Sequence, residues 1–186
     1  DFLESLVEAI HPTVSDETAH GYTNHLIPEF RIRPFEVTIW SGFSGHGKSL
    51  LLLQLMTALG DLGAKACIAS LEIPTRKSLA FMLRQATGCG KPTTEVITQF
   101  ADWCSRWLWF YDSVGTRDIG SLVDTFEYAF KRYGIDQFVV DSLVKLGVAH
   151  DDYEGQKRVV ERLCDFSAKY PVHVHLVCHS RKAQSE

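Results

Sequence analysis

GFSGHGKSLLLLQL (42–55) decides the fold. Its first eight residues, Gly42, Phe43, Ser44, Gly45, His46, Gly47, Lys48 and Ser49, fit the pattern G-x-x-x-x-G-K-[ST]. An apolar run, EVTIWS (36–41), precedes it directly, and a helical run, GKSLLLLQLMTALGDLG (47–63), follows. Strand, glycine loop and helix in that order make a phosphate cradle. Glycines let backbone N–H groups curl around a β-phosphate, and the helix N-terminus adds partial positive charge. In such a loop Lys48 reaches the β- and γ-phosphates, and the Ser49 hydroxyl binds Mg²⁺.

The remaining chain continues this alternation. Strands are predicted at 64–72, 106–112, 137–142 and 172–179, and helices at 74–88, 93–104, 117–134 and 156–170. A polar loop is read at 145–155. Near-continuous apolar strands separated by helices of more than ten residues predict βαβ units. The fold class is therefore α/β: a mainly parallel twisted sheet with helices on both faces. Ligands of such sheets sit beyond the carboxyl ends of the strands. Before this core, FLESLVEAI (2–10) has helical spacing and leads through a His/Pro/Thr/Gly-rich connector to about residue 30. The expected division is 1–30 as linker helix and connector and 31–186 as core.

Composition sets outer bounds. At 186 residues, 45% hydrophobic and 23% charged, the chain suits one well-buried α/β domain. A net charge of −4 gives no overall basic field for nucleic acid, although loops alone can concentrate positive charge. Cys67, Cys89, Cys104, Cys164 and Cys178 are odd in number and unpaired in spacing, which reads as buried thiols in a reducing compartment. No apolar run approaches the roughly 20 residues that span a bilayer, and no signal peptide is visible. The chain opens on Asp1 rather than Met, which reads as a piece of something larger.

Strand ends supply the other candidates. Asp141 closes QFVVD, where a carboxylate at an apolar tip needs a cation; Mg²⁺ at the adjacent loop would serve, with a turn cap as the alternative. Glu72 closes IASLE, read as the strand next to the phosphate-loop strand, where it could orient or deprotonate water. Its alternative is a helix N-terminal acid. His179 ends VHVHLVCH and could touch a γ-phosphate, while His173 and His175, on the same face by period two, read as core or edge residues. His46 reads as a solvent-facing filler. Asp136 lies at the wrong end of its strand and Asp112 suits a turn. Trp103, Trp107, Trp109, Phe110 and Tyr111 read as packing before base stacking. The loop at 145–158 is either a DNA-touching loop or a solvated one.

Taken in order, the phosphate loop, SLEIP, QFVVDS and VHLVCHSRK resemble the RecA-like motor domain of hexameric replicative DNA helicases, from about Phe30 to Lys182. The likeness is closest to phage primase-helicases and the mitochondrial helicase Twinkle, and looser to DnaB-type helicases. The resemblance implies a RecA-like P-loop NTPase core that hydrolyses ATP or another NTP with Mg²⁺. It implies single-stranded DNA as track, self-association into a hexameric ring, and primase or polymerase as further partners. It makes Lys48 and Ser49 phosphate and Mg²⁺ ligands, Asp141 the second-motif acid, Glu72 the base and His179 the γ-phosphate sensor. DnaB-type relatives usually carry Gln at that last position. It also places the chain in a phage-infected or bacterial cytoplasm or in the mitochondrial matrix.

Family members continue into a DNA-binding loop and an arginine finger that acts on the neighbour's nucleotide. Neither occurs before Glu186, so the chain alone is expected to bind nucleotide and hydrolyse it weakly. Two alternatives stay open at this stage. One is a RecA/RadA- or KaiC-like ATPase without unwinding; the other is a non-hydrolysing assembly module.

Overall fold

The computed structural model describes residues 21–22, 30–112, 115–149 and 151–180. The helix expected at 2–10, most of the connector, and Arg181 and Lys182 lie outside the described residues. Among the described residues, five strands form one sheet: β1 (Glu36–Gly42), β2 (Ala66–Ser70), β3 (Leu108–Phe110), β4 (Gln137–Asp141) and β5 (His173–His179). Their order is β1-β5-β4-β2-β3, and every pairing is parallel. The helices that connect them are α1 (Lys48–Asp61), α2 (Thr75–Thr87), α3 (Thr94–Cys104), α4 (Ile119–Tyr133) and α5 (Tyr153–Lys169).

Burial explains the strand sequences. β2 and β4 are buried at every position, so their side chains are mostly apolar or small on both faces. Alternate residues enter two cores. Val139 of β4 and Val177 of β5 pack with Leu52, Met56, Leu59 and Met82 beneath α1 and α2. Phe138, Val140 and Val174 pack with Phe126, Leu163 and Phe166 beneath α4 and α5. Helices therefore cover both faces, as the sequence pattern predicts. Among the described residues, no helix is long and apolar enough to cross a membrane.

Element ends depart from expectation for local reasons. The strand expected at 106–112 shortens to Leu108–Phe110 because Trp107 N–H turns back to the Cys104 carbonyl (3.1 Å) and closes α3. The last helix begins at Tyr153 rather than 156, because the Asp152 carboxylate accepts from Gly155 N–H at 2.8 Å and caps it. The strand order also overturns one reading. β2 is not next to β1; β5 and β4 lie between them. An apolar run states that a strand is buried, but not which strand is its neighbour.

His173 and His175 are fully buried, and their ring nitrogens have partners. His173 Nδ1 lies 2.6 Å from the Arg33 carbonyl, and its Nε2 lies 2.8 Å from Thr38 Oγ1. Trp40 Nε1 donates to His175 Nδ1 (3.2 Å), which leaves the proton on Nε2, 3.3 Å from Gln137 Oε1. Burial lowers both histidine pKa values, that of His175 well below 6.5.

The unfolded chain protonates these histidines near pH 6.5 while the folded chain does not. Their contribution to stability is therefore complete above that pH and lost as pH falls below it, by up to about 1.4 kcal/mol per unit for each. Urea midpoints at pH 7.5 and 5.5 should show the lower value at 5.5. Packing around Gly60, inside α1, gives a second expectation. An added Cβ there would lie 2.5 Å from the Trp107 ring. Trp103 packs edge-on against that ring at 4.8 Å and blocks its retreat. Ala at this position gains about 1 kcal/mol of helix propensity but overpacks at a cost of roughly 1–3 kcal/mol. Gly60→Ala should therefore lower the melting temperature.

Candidate active site

Four strand ends meet at one edge of the sheet. In register, Gly42 of β1 faces His179 of β5, and Asp141 of β4 faces Ser70 of β2. The phosphate loop leaves β1 at Gly42 and enters α1 through Gly47. Gly45 and Gly47 have φ of 83° and 81°, where a side chain would be strained, so the loop requires glycine at both. Lys48 Nζ folds over this loop and donates to the Gly42 carbonyl at 2.7 Å and the Phe43 carbonyl at 2.9 Å. His46 is exposed, its ring edge-on to Phe43 at 5.4 Å.

Asp141 is 5% exposed, and its Oδ1 is buried with no hydrogen-bond partner. Burial raises its pKa above the usual carboxylate range, and the Glu72 charge adds to this. A hydrogen bond from Ser49 and the charges of His179 and Lys48 oppose the rise. A buried carboxylate with an unmet oxygen beside a serine hydroxyl is a donor set that suits a hard cation such as Mg²⁺.

Glu72 lies just beyond β2 rather than within it. Leu71 N–H bonds to the Asp141 carbonyl at 2.8 Å, extending the ladder past the strand. Ser70 Oγ donates to the Ile73 carbonyl at 2.9 Å and turns the chain at that point. Together these bonds bring Glu72 beside the tips of β4 and β5, although β2 is three places from β1. Ser142 Oγ donates to Glu72 Oε1 at 2.5 Å, and His179 Nε2 lies 3.4 Å from the same oxygen. His179 Nδ1 is buried without a partner. Lys48, Ser49, Gly45, Glu72 and His179 line one cleft of about 290 Å³. Phe81 of α2 and Ile73 complete its wall.

The structure thus gathers Lys48, Ser49, Asp141, Glu72 and His179 at one place. It separates the other candidates from them. Asp136, at the opposite sheet end, accepts from Tyr22 Oη and Lys65 N–H, both at 2.8 Å. Asp112 accepts from Thr75 Oγ1 at 3.0 Å and ties a turn to α2. Trp107 and Trp103 pack with each other, and Trp109 stacks on Tyr133 at 5.4 Å. Ser142 and Phe81 are site residues that the sequence reading misses. The Asp-Ser pair at a strand tip is the one available signal for Ser142; Phe81 gives none, being one apolar residue of a helix.

Fold and site together define an α/β P-loop protein of the RecA-like, ATPase kind. The chain belongs to the AAA domain family (AAA_25), whose model matches residues 12–185. Among solved structures it is similar to the ATPase domain of a DnaB-type helicase, with 15% identity and a TM-score of 0.71. That likeness covers 95% of this chain and 70% of the other.

Asn at position 141 would fill the same volume without the buried charge. Asp141→Asn is expected to raise the melting temperature by on the order of 2–4 °C, the shift that about 1 kcal/mol produces in a domain of this size. The same variant should lose the Mg²⁺-dependent part of nucleotide binding. Paired thermal melts and nucleotide titrations with and without Mg²⁺ check both halves.

Proposed function

We propose that this domain is the ATP-driven motor of a ring-forming replicative DNA helicase, which moves on single-stranded DNA and unwinds duplex. The hydrolytic part rests on one observation: Glu72 and His179 meet at 3.4 Å on the same cleft as Lys48 and Ser49. The motor part is supported by the motif order in the sequence and by the likeness to the ATPase domain of a DnaB-type helicase.

In this reading the backbone N–H groups around Gly45 and Gly47 hold the β-phosphate, and the N-terminus of α1 adds its dipole. Lys48 exchanges its two loop carbonyls for β- and γ-phosphate oxygens. Ser49 and Asp141 would hold Mg²⁺, which when bound neutralises phosphate charge. Glu72 orients the attacking water and accepts its proton. His179, at the tip of β5, donates toward the γ-phosphate from its free ring nitrogen and loses that contact when the phosphate leaves. Catalysis comes mainly from positioning and charge stabilisation, as in phosphoryl transfer generally. A ring neighbour supplies the remaining positive charge.

In the full-length protein, Glu72→Gln should lower ATP turnover by about 10²–10⁴-fold and leave nucleotide affinity nearly intact. Unchanged turnover would remove Glu72 from the chemistry. Wild-type protein should separate the strands of a forked duplex in an ATP-dependent manner. Strand exchange without unwinding would make it a recombinase-like ATPase instead, and no turnover by the assembled wild type would make it a binding module.

A further inference from the structure

Ser142 plays no part in the roles above, yet its hydroxyl makes the shortest contact to Glu72. The residue is fully buried, and its Oγ donates to Glu72 Oε1 at 2.5 Å, a length typical of a hydrogen bond to a charged carboxylate. His179 Nε2 approaches that same oxygen. Oε1 is thereby tied from two sides, while Oε2 has no bond to either group. A glutamate side chain on an irregular segment otherwise samples many rotamers. Here the tie selects one orientation, and it also selects which oxygen stays available to a water molecule.

Ser142 also stands next to Asp141 in the chain, and the Asp141 carbonyl holds Leu71 N–H at 2.8 Å. Glu72 and Asp141 are thus tied by two bonds between the same strand tips. One is backbone to backbone; the other is Ser142 to Glu72.

We infer that Ser142 is a positioning residue for Glu72, fixing Oε1 so that Oε2 faces the attacking water. This rests on the reading of Glu72 as the base. The hydroxyl takes no proton from substrate and touches no phosphate. Its effect passes entirely through the carboxylate. Displacement of a general base by about 1 Å can cost as much as 10²-fold in rate, which sets the expected scale.

The test uses the full-length protein in single-turnover ATP hydrolysis, with nucleotide affinity measured separately by fluorescent ATP-analogue titration. Ser142→Ala should lower the hydrolysis rate by about 10–100-fold and leave the nucleotide Kd unchanged. Ser142→Thr, which keeps the donor, should restore most of the rate. In a Glu72→Ala background the Ser142→Ala change should have no further effect, because its only route of action is gone. If Ser142→Ala does not fold, Ser142→Cys, with a weak donor of similar size, takes its place in the same comparison. A wild-type rate in Ser142→Ala beside a dead Glu72→Gln enzyme overturns this inference and leaves the base in place. An equal loss in the Glu72→Ala background, or a weakened Kd, also overturns it. Wild-type turnover by Glu72→Gln overturns the functional reading itself.

Discussion

A carboxylate buried at the tip of β4 is the constraint around which the rest of the site is arranged. Asp141 follows four buried residues and is itself almost inaccessible, so its charge is far from bulk water. Such a group is tolerated only where partners offset its lost hydration. One such partner is the Ser49 hydroxyl at the start of α1. For Ser49 to reach it, β1 and α1 must deliver the loop across β5 to the end of β4. The order β1-β5-β4 and its parallel register do this, because all carboxyl ends then share one edge. The remaining unmet oxygen of Asp141 favours a cation, and the neighbouring loop favours the phosphates that bring one.

Much of this is legible in the sequence because the chemistry is local. Gly45 and Gly47 are needed at positive φ, and their spacing to Lys48 and Ser49 is fixed by one turn of chain. The apolar runs name each strand of the sheet. What they do not carry is lateral order. Glu72 reads as a neighbour of the phosphate-loop strand, and its own strand stands three places away. It reaches the cleft because β2 runs on past Ser70 through the Leu71–Asp141 bond. That bond is backbone to backbone and leaves no residue-specific trace. Ser142 escapes for a related reason: a serine after an aspartate is ordinary until the opposite strand tip is known to carry an acid.

The three histidines of β5 show how position along one strand decides chemistry. They alternate on one face, so periodicity alone gives them equal standing. His173 and His175 are enclosed, and Arg33, Thr38, Trp40 and Gln137 occupy their ring nitrogens. Rings held neutral in this way are packing elements. His179, at the far end of the strand, has one nitrogen near Glu72 and the other unpartnered. An unmet nitrogen is costly in a core and useful at a ligand edge. The difference lies in what the strand end faces, not in the residue.

Rigidity enters from the other side of the loop. Lys48 and Ser49 open α1, and Leu52, Leu53, Leu55, Met56 and Leu59 of that helix are buried. The helix therefore cannot shift without disturbing the core shared with Ile68, Val139 and Val177. Lys48 is held as well, with two of its three N–H donors already on loop carbonyls. Exchange of those carbonyls for phosphate oxygens conserves the number of hydrogen bonds, so binding gains chiefly through charge. It loses little side-chain freedom, because the ammonium is already ordered over the loop. With the loop anchored at its helix and the base tied at its strand tip, His179 keeps an unpartnered ring nitrogen beside the cleft. Any signal of phosphate departure in the proposed motor would then travel along β5, whose neighbours β1 and β4 carry the two phosphate-binding elements.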